Sequence, residues 1–413
     1  MTIALVNARL IDPVARQETR GGLVIEGKRI AEVGAAVKPP KGAQVIDCGG
    51  HALAPGIVDM GAFALDGAAA ARGGITTVAL MPNLSPPVDN VAMVDYVLRL
   101  GRDDPDVRVF PLGAATKGLM GGEIAEIGLM GRAGALAFTD GRRAINDAAV
   151  MLRLLTYATT FGALIMQHAE EPSLTAGACA SEGELATRLG LPAAPAYAEA
   201  MLIERDLHLV EASGARYHAI HVTTQAAITA IAGAKKRGLR VSCGVTPAHF
   251  VLNELAIGDY RTFAKLSPPL RGEADRHAVA EALAAGTIDV IFSGHDPRTE
   301  EDKRLPYAQA EAGGVGYETL LATSLKLYHD GMMDLPSLMA CLTANPARLL
   351  GLGSGRLEAG APADLVLFDP DAPWTLDADK LASAAKNSAF DGMPLQGRVR
   401  RTICDGYDAF VAG

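Results

Sequence analysis

Two patterns of apolar residues alternate along the chain and divide it into three stretches. The opening residues read as short strands separated by Gly, Pro and Asp, as in IALVNARLID and GGLVIEGKRIAEVG, which is typical of antiparallel β structure. The same pattern returns after LTANPARLLGL, in GRLEAGAPADLVLFDP and GRVRRTICDGYDAFVAG. We therefore predict that residues 1–52 and 353–413 pair into one small β-sandwich domain built from both termini.

The central stretch, residues 53–352, alternates short apolar strands with helical segments. Strands are indicated at TTVALMPN, GALAFTD, ALIMQHAEE, YHAIHVTT, LRVSCGVTP and IDVIFSGHD, and helices at VDNVAMVDYVLRLGR, RRAINDAAVMLRLLTYA and QAAITAIAGAKKRG. Strands and helices that alternate over this length predict an α/β fold, a parallel sheet closed as a (β/α)8 barrel of the TIM type. An open doubly wound sheet is the alternative, but no Gly-rich phosphate-binding turn supports it.

Composition and charge exclude several classes of protein. Hydrophobic residues make up 49% of the 413 residues and aromatic residues only 5%, which suits a loop-rich α/β core. The formal charge of −9 argues against a broad basic surface that would bind nucleic acid or anionic lipid. No apolar run approaches a membrane span and the first residues lack the features of a signal peptide, so we expect a cytoplasmic protein. The five cysteines form no CxxC pair, so neither a disulfide framework nor a zinc knuckle is predicted.

Polar side chains at strand ends are the first candidates for chemistry, because a barrel carries its catalytic groups there. Four histidines follow predicted strands, namely His168, His221, His249 and His295. A metal-dependent hydrolase needs at least three protein ligands for each metal ion. His168, His221 and Asp140 could supply part of such a set, or could be hydrogen-bonded polar groups around a pocket. His218 lies three residues before His221, so the strand period predicts that only one of the two faces the barrel axis.

Nucleophilic catalysis has weaker support in the sequence. No G-x-S-x-G turn follows a predicted strand, which argues against a Ser-His-Asp hydrolase. Cys243 lies within a strand pattern near His249, where a buried, inert thiol is the better interpretation.

A set of motifs spread along almost the whole chain resembles the dihydroorotase branch of the cyclic amidohydrolases. They include APGIVDM, ARGGITTVALMPNLSPPVDN, QHAEEPSLTAG, ARYHAIHVTT, KLSPPLRGEADR, GTIDVIFSGHDPRTEEDK, LTANPARLLGL and FDGMPLQGRV. The resemblance implies a (β/α)8 barrel with a β-sandwich formed by both termini. It also implies the family's chemistry, the reversible hydrolysis of dihydroorotate to carbamoyl aspartate in pyrimidine biosynthesis. In that reaction zinc polarises the amide carbonyl and supplies hydroxide, and an aspartate on the last strand moves the proton.

Some of the family's site residues are retained. By resemblance, His168 and His221 stand at the two later histidine ligands, and Asp140 matches one acidic residue of the family's DDG turn. These three are the residual candidates for binding a metal ion. The residues expected to contact substrate or line its pocket are Asn83, Arg271 and His295.

The departures from the family pattern fall on the residues that perform the chemistry. Gly61 and Phe63 replace the expected histidine pair of the first strand, and Gly294 replaces the catalytic aspartate. Gly141 replaces the second aspartate of the DDG turn, and Arg298 the last histidine of the DHAPH pattern. The loop after Phe63 is also shorter than the family's and lacks its substrate-binding arginine. No residue of this chain is therefore predicted to be catalytic.

These departures lead to one main hypothesis about function. The chain is expected to be a non-catalytic homologue, a pseudoenzyme without a bound cofactor. The resemblance implies a structural role as an assembly partner of aspartate carbamoyltransferase, in a homo- or hetero-oligomer. Phe63 is expected to fill the space of the lost metal.

Two other hypotheses remain open at this stage. The first is an active, zinc-dependent cyclic amidohydrolase that acts on dihydroorotate or on a related ring such as allantoin or hydantoin. Its site would have to be rebuilt, with Asp296, Asp66 or Asp59 turned towards the metal. The second is a ligand-binding regulator that holds a carboxylate without converting it, and its contacts are the three pocket residues already named.

Overall fold

Seventeen strands and fifteen α-helices make up the computed structural model, which describes residues 2–413. The strands are β1 (Thr2–Asp12), β2 (Gln17–Glu26), β3 (Arg29–Gly34), β4 (Gln44–Asp47), β5 (Ala52–Pro55), β6 (Ile57–Ala62), β7 (Ile75–Leu80), β8 (Arg108–Pro111), β9 (Leu164–Gln167), β10 (Ala180–Ser181), β11 (Ala193–Ala194), β12 (Arg216–Ala219), β13 (Val241–Val245), β14 (Val290–Ile291), β15 (Leu365–Thr375), β16 (Pro394–Cys404) and β17 (Tyr407–Val411).

The helices lie mainly between the strands of the central stretch. They are α1 (Gly67–Arg72), α2 (Val91–Asp103), α3 (Ile127–Ala133), α4 (Ala148–Thr159), α5 (Pro172–Thr175), α6 (Glu184–Leu189), α7 (Tyr197–Ser213), α8 (Gln225–Lys236), α9 (Ala248–Val251), α10 (Glu273–Ala284), α11 (Glu300–Arg304), α12 (Leu320–Ser324), α13 (Lys326–His329), α14 (Leu335–Leu342) and α15 (Ala344–Leu350). Short 3-10 helices occur at Lys117–Leu119, Glu254–Ile257, Thr262–Ala264, Tyr317–Thr319 and Ala378–Lys380.

Both ends of the chain contribute to one eight-stranded sheet. Its order is β17-β16-β15-β5-β1-β2-β3, and β4 pairs with β1 outside this path. The two ends meet where β15 pairs antiparallel with β5, with Val366 opposite Ala54. Buried side chains such as Leu23, Leu53 and Leu365 form the core of this sheet. The prediction that both termini form one β structure is confirmed.

The central stretch forms the predicted (β/α)8 barrel. Strands β6, β7 and β8 are parallel, and so are β9, β12, β13 and β14. The remaining strand of the eight is GALAFTD, which lies between β8 and β9. It pairs only through isolated bridges from Phe138 to Gly113 and to Ile165. This strand is therefore much shorter than its sequence pattern predicts.

Side-chain caps decide where the helices on the outside of the barrel begin. The sequence pattern predicts one helix from Arg142, but α4 begins at Ala148 because the Asp147 carboxylate accepts from the backbone N–H groups of Ala149 and Val150, at 2.7 and 3.0 Å. A capping residue satisfies backbone donors that have no partner inside the helix, and so fixes its first turn. The preceding residues are left as a loop above the barrel.

Two further observations concern the whole described chain. All five cysteines are buried and free, and none of them forms a disulfide. Within residues 2–413, no helix is both long enough and apolar enough to cross a membrane.

The barrel is closed between its first and last strands by a buried carboxylate. Asp59 lies in the middle of β6, and its Oδ1 accepts from the Ser293 backbone N–H at 2.9 Å. Its Oδ2 accepts from the Ser293 hydroxyl. A second link joins the Phe63 N–H to the His295 carbonyl at 2.8 Å. Burial raises the pKa of Asp59, although the hydrogen bonds from Ser293 oppose this shift.

We expect Asp59→Ala to lower the free energy of unfolding by about 1–3 kcal/mol, because it leaves the buried donors of Ser293 without an acceptor. Asp59→Asn keeps one acceptor and should cost less.

A raised carboxyl pKa contributes stability that is present at low pH and is lost as the pH rises through that pKa. Urea denaturation between pH 4 and pH 8 should therefore show a smaller loss of stability for Asp59→Asn than for the wild type. Identical pH dependence of the two proteins would contradict this assignment.

Candidate functional site at the mouth of the barrel

A cavity of about 240 Å³ opens at the carboxyl ends of the barrel strands. Its wall is built from the residues that follow β6, β9, β12, β13 and β14, and so it occupies the place where barrels of this kind carry their functional groups. The side chains that define it are Phe63, Arg142, His168, His221, Thr246, His249, Ser267, Asp296 and Arg298. Most of them come from turns directly after a strand.

Three histidines lie side by side along one wall of the cavity. The ring centroids of His168 and His221 are 5.3 Å apart, and those of His221 and His249 are 6.1 Å apart. Burial lowers the pKa of His249 to about 4 and that of His221 well below its ordinary value. The rings of His221 and His249 are therefore neutral at pH 7.

Two of these histidines have polar partners on their ring nitrogens. His168 Nε2 lies 2.8 Å from Glu170 Oε2, and the Ser267 hydroxyl donates to the same carboxylate at 3.0 Å. Burial raises the pKa of Glu170, but the contacts with His168 and Ser267 and the charge of Arg271 together outweigh this effect and lower the pKa to about 2. His249 is fixed by the Thr246 hydroxyl at 2.8 Å and by the Pro268 carbonyl at 3.0 Å. The Nε2 atom of His168 is therefore engaged by Glu170.

The prediction that only one of His218 and His221 faces the barrel is wrong. Both side chains point into the barrel. His221 lines the cavity, and His218 faces the Phe292 ring, since a Cβ on Gly244 would lie 3.2 Å from His218 Nε2 and 3.0 Å from that ring. The Nδ1 of His218 contacts the Ser242 hydroxyl at 2.8 Å. Strand β12 ends at Ala219, so the alternation of strand side chains no longer applies at His221.

Asp140 is held away from the two histidine candidates for metal binding. Its Oδ1 accepts from the Thr116 N–H at 2.9 Å, and its Oδ2 accepts from the Thr116 hydroxyl. Burial raises the pKa of this carboxyl group. The structure thus brings His168 and His221 together at the cavity, whereas Asp140 fixes the loop after β8.

Position 61 is closed to any side chain by a neighbouring aromatic ring. A Cβ atom on Gly61 would lie 2.1 Å from Cδ2 of Phe292, far inside van der Waals contact. Phe292 is buried, and its ring also packs against His221 with the centroids 5.0 Å apart.

Phe63 has a different role from the one the sequence suggests. The Arg142 guanidinium lies over its ring at 4.2 Å from the centroid, a cation–π contact. The cavity remains open beside Phe63. This open space counts against the expectation that Phe63 fills the place of the lost metal, which stays a prediction.

The glycines at the other two altered positions have left-handed backbone conformations and close neighbours. Gly294 has φ +59° and Gly141 has φ +66°, a region that residues with a Cβ rarely adopt. A Cβ on Gly294 would also lie 2.7 Å from the Thr246 methyl, and one on Gly141 would lie 1.6 Å from Asn83 Oδ1. A side chain at either position would be opposed by these contacts, whereas the conformation alone does not exclude aspartate, since Asp405 adopts φ +51° in this chain.

The three carboxylates that could have rebuilt the site are all engaged elsewhere. Asp296 is paired with Arg298 at 2.7 Å, and also with Arg142 through both of its oxygens. Asp66 caps α1 by accepting from the Ala69 N–H at 3.1 Å, and Asp59 closes the barrel as described above.

Sequence reasoning missed Arg142 and Glu170, although Arg142 directly follows the altered turn and Glu170 lies two residues after His168.

The residues predicted to contact substrate are not among those that line the cavity. Asn83 donates to the Asp140 carbonyl at 3.3 Å. His295 is stacked on Tyr317 with 3.8 Å between the ring centroids, and it faces a separate crevice beside Asp66. Arg271 is buried in a network described below. Their role in ligand binding stays a prediction.

Similarity to known proteins agrees with this architecture. Residues 50–227 match the dihydro-orotase-like family, and residues 327–407 match the amidohydrolase family. The dihydroorotase of Anaplasma phagocytophilum (strain HZ) is 38% identical over 429 residues, which cover 100% of this chain and 96% of that protein. The dihydroorotase of Pelotomaculum thermopropionicum is 40% identical over 420 residues, with 98% of each chain covered. This chain belongs to the dihydroorotase-like amidohydrolase family.

Solved structures give the same picture of the fold. The L-hydantoinase (dihydropyrimidinase) from Arthrobacter aurescens has a TM-score of 0.87 at 25% identity and covers 100% of this chain and 96% of its own. The dihydropyrimidinase from Brevibacillus agri has a TM-score of 0.84 at 20% identity over 99% of this chain and 95% of its own. The barrel and the terminal sheet are therefore the common scaffold of these amidohydrolases.

The residues at the mouth do not fit the zinc centre that the dihydroorotase family implies. Within residues 2–413, no three or more His, Cys, Asp or Glu side chains are grouped as a metal site. His168 and His221 are adjacent, but Gly61 and Phe63 offer no ligand atom, and Asp140 is bound to Thr116. Zinc sites in proteins need at least three such ligands, and the two adjacent histidines fall short of that number.

A fully buried ion pair stands beside the cavity. Arg271 Nη2 lies 3.4 Å from Glu199 Oε2, and the two side chains are 3% and 0% exposed. Glu199 also accepts from the backbone N–H groups of Thr223 and Thr224, at 2.7 and 3.0 Å. Arg271 donates to the hydroxyls of Thr223 and Ser181, at 3.0 and 3.1 Å. The pair fixes the turn after β12, and so the position of His221.

We expect Arg271→Ala to lower the free energy of unfolding by about 3–5 kcal/mol, because it leaves the Glu199 carboxylate buried without a counter-charge. The double variant Arg271→Ala/Glu199→Gln should regain part of this loss. Chemical denaturation of the three proteins measures both effects. A stability of Arg271→Ala within about 1 kcal/mol of the wild type would show that the pair does not hold this turn.

Proposed function

We propose that this chain is a non-catalytic member of the dihydroorotase family that serves as a structural partner in pyrimidine biosynthesis. One observation carries the proposal. Gly61, Gly141 and Gly294 stand where the family resemblance places chemistry, and a side chain at each would lie 1.6–2.7 Å from a neighbouring atom. The losses are thus built into the packing and the backbone of the barrel rather than confined to side-chain identity.

The size of the catalytic loss supports this proposal. Binding to zinc lowers the pKa of water from 15.7 to about 7, so a site without the metal loses roughly eight to nine orders of magnitude of hydroxide at neutral pH. Loss of a general acid–base group removes a further factor of roughly 10² to 10⁴. None of the residues around the cavity offers a comparable gain, because the carboxylates of Glu170 and Asp296 are already paired.

An active amidohydrolase is the second candidate, because the relatives that match this chain over almost their whole length are named dihydroorotase. It would use zinc held by His168, His221 and a third, unidentified ligand to open dihydroorotate or a related ring. The two candidates differ in what a purified sample contains and does.

We expect purified protein to hold less than about a tenth of an equivalent of zinc and to leave dihydroorotate unchanged. Metal analysis and a turnover assay on the same sample measure both quantities, and a zinc-binding dihydroorotase prepared in parallel serves as the positive control. Stoichiometric zinc, together with turnover that is lost in His168→Ala or His221→Ala, would establish the active enzyme instead.

The proposed partner is aspartate carbamoyltransferase, which comes from the family resemblance. The exposed surface supports a role in assembly. Large apolar side chains are exposed on four helices on the outside of the barrel, α2, α3, α4 and α7, or directly after them, at Val91, Tyr96, Leu129, Leu152, Tyr157, Phe161, Tyr197 and Met201. Helix α2 packs on α3, and α4 packs on α7, while Phe161 contacts Gly128 of α3. Clusters of exposed apolar residues on a soluble protein often mark interaction sites.

We expect this chain to co-purify with the aspartate carbamoyltransferase of the same cell. The double variant Tyr157→Glu/Met201→Glu should weaken the complex, because it places charge on the proposed contact surface. Val14→Glu/Val45→Glu, at still more exposed positions in the turn after β1 and in β4, is the control. Co-expression with affinity capture and size-exclusion chromatography measures the complex. The partner role is contradicted if wild-type protein elutes alone and its deletion leaves the assembly and activity of aspartate carbamoyltransferase unchanged.

A further inference from the structure

We infer that the Phe292 ring itself excludes metal from this barrel, so that restoring the two lost ligands of the first strand does not by itself restore a metal site. The inference rests on the proposed loss of catalysis and goes beyond it. It assigns to one aromatic side chain, outside the altered ligand positions, the role of a plug in the axis of the barrel.

The contact between position 61 and the ring is the first step of the argument. A Cβ on Gly61 would lie 2.1, 2.6 and 2.9 Å from Cδ2, Cε2 and Cγ of Phe292. Three ring atoms would thus be closer than non-bonded carbon atoms approach one another, since their optimal separation is about 3.5–4.0 Å. While the ring stays in place, this position accepts only glycine.

The ring has no free direction in which to move. On another side, a Cβ on Gly244 of β13 would lie 3.0 Å from Phe292 Cε1, so a second glycine makes room for the same ring. The edge of the His221 ring closes a further side, with 5.0 Å between the centroids. Phe292 is 1% exposed, so it cannot turn outward into solvent without opening the barrel.

The backbone at position 61 would otherwise accept a ligand. Gly61 lies within β6 and is not among the glycines with positive φ, unlike Gly141 and Gly294. The nearest obstacle at this position is therefore a single side chain, and one substitution removes it. Phe63 lies beyond the end of β6 and faces the cavity, so a histidine there meets no such ring.

The proposed test compares three variants that share the resident His168 and His221. The first, Gly61→His/Phe63→His, restores the expected pair. The second adds Phe292→Ala, and the third carries Phe292→Ala alone. Each is titrated with Zn²⁺ and with Co²⁺, whose visible absorption bands report coordination by protein ligands, and each is checked for folding by circular dichroism.

We expect the variant with all three substitutions to bind Zn²⁺ at least about tenfold more tightly than the other two and to develop cobalt bands, because imidazole nitrogens are preferred zinc ligands. Equal affinity with and without Phe292→Ala in the presence of the restored pair would overturn the inference, and so would a triple variant that binds no more tightly than the wild type. Either result leaves the metal content and turnover of the wild type unchanged, so it is separate from the test of the proposed function.

A second measurement does not depend on metal binding or on the folding of the histidine variants. Gly61→Ala should lower the melting temperature, and adding Phe292→Ala should cost less than the sum of the two single changes, because the ring and the new methyl group compete for one space. Gly122→Ala is the control, since nothing lies within 4 Å of a Cβ at that exposed glycine. Strict additivity of the two changes would count against the plug.

Discussion

The packing of one aromatic ring in the axis of the barrel constrains the rest of the site. Phe292 lies between Gly61 on the first strand and Gly244 on the seventh, and against His221 at the mouth. Protein interiors are packed as densely as organic crystals, so the ring leaves no space for a side chain at position 61 while it stays in place. The cavity at the mouth begins above this ring and is lined by His168 and His221.

The carboxylates near the cavity are all engaged by neighbouring side chains. Asp140, Asp296 and Glu170 each have partners within hydrogen-bonding distance, and those partners are a threonine, two arginines and a histidine. A buried charge is costly unless it is paired and hydrogen-bonded, so each of these contacts removes a penalty that a metal ion could otherwise have offset. In this structure the three carboxylates are therefore bound to side chains of neighbouring loops.

Sequence reasoning gave the architecture but not the interior of the site. The alternation of strands and helices predicted the barrel because apolar periodicity reflects burial, and the β pattern at both ends predicted the shared sheet. It failed at Phe138, where a strand-like segment forms only isolated bridges, and at His221, which lies beyond its strand. The ring of Phe292 could not be predicted, because a phenylalanine in an apolar strand looks like any other core residue until its distance from Gly61 is known. The partner of Asp296 was within reach of sequence reasoning at Arg298, two residues away, but Arg142 is distant in sequence and comes close only in the fold.

The shared terminal sheet has a consequence for how the protein is made. Val366 pairs with Ala54, so roughly 300 residues, or about 15–60 s of synthesis at 5–20 residues per second, separate the emergence of β5 from that of its partner strand. During this interval β5 presents an unpaired strand edge, and such edges readily pair with other chains. The ribosome-bound chain therefore passes through a long period in which this edge of β5 is without its partner strand, and the sheet is completed only once β15, β16 and β17 have been made.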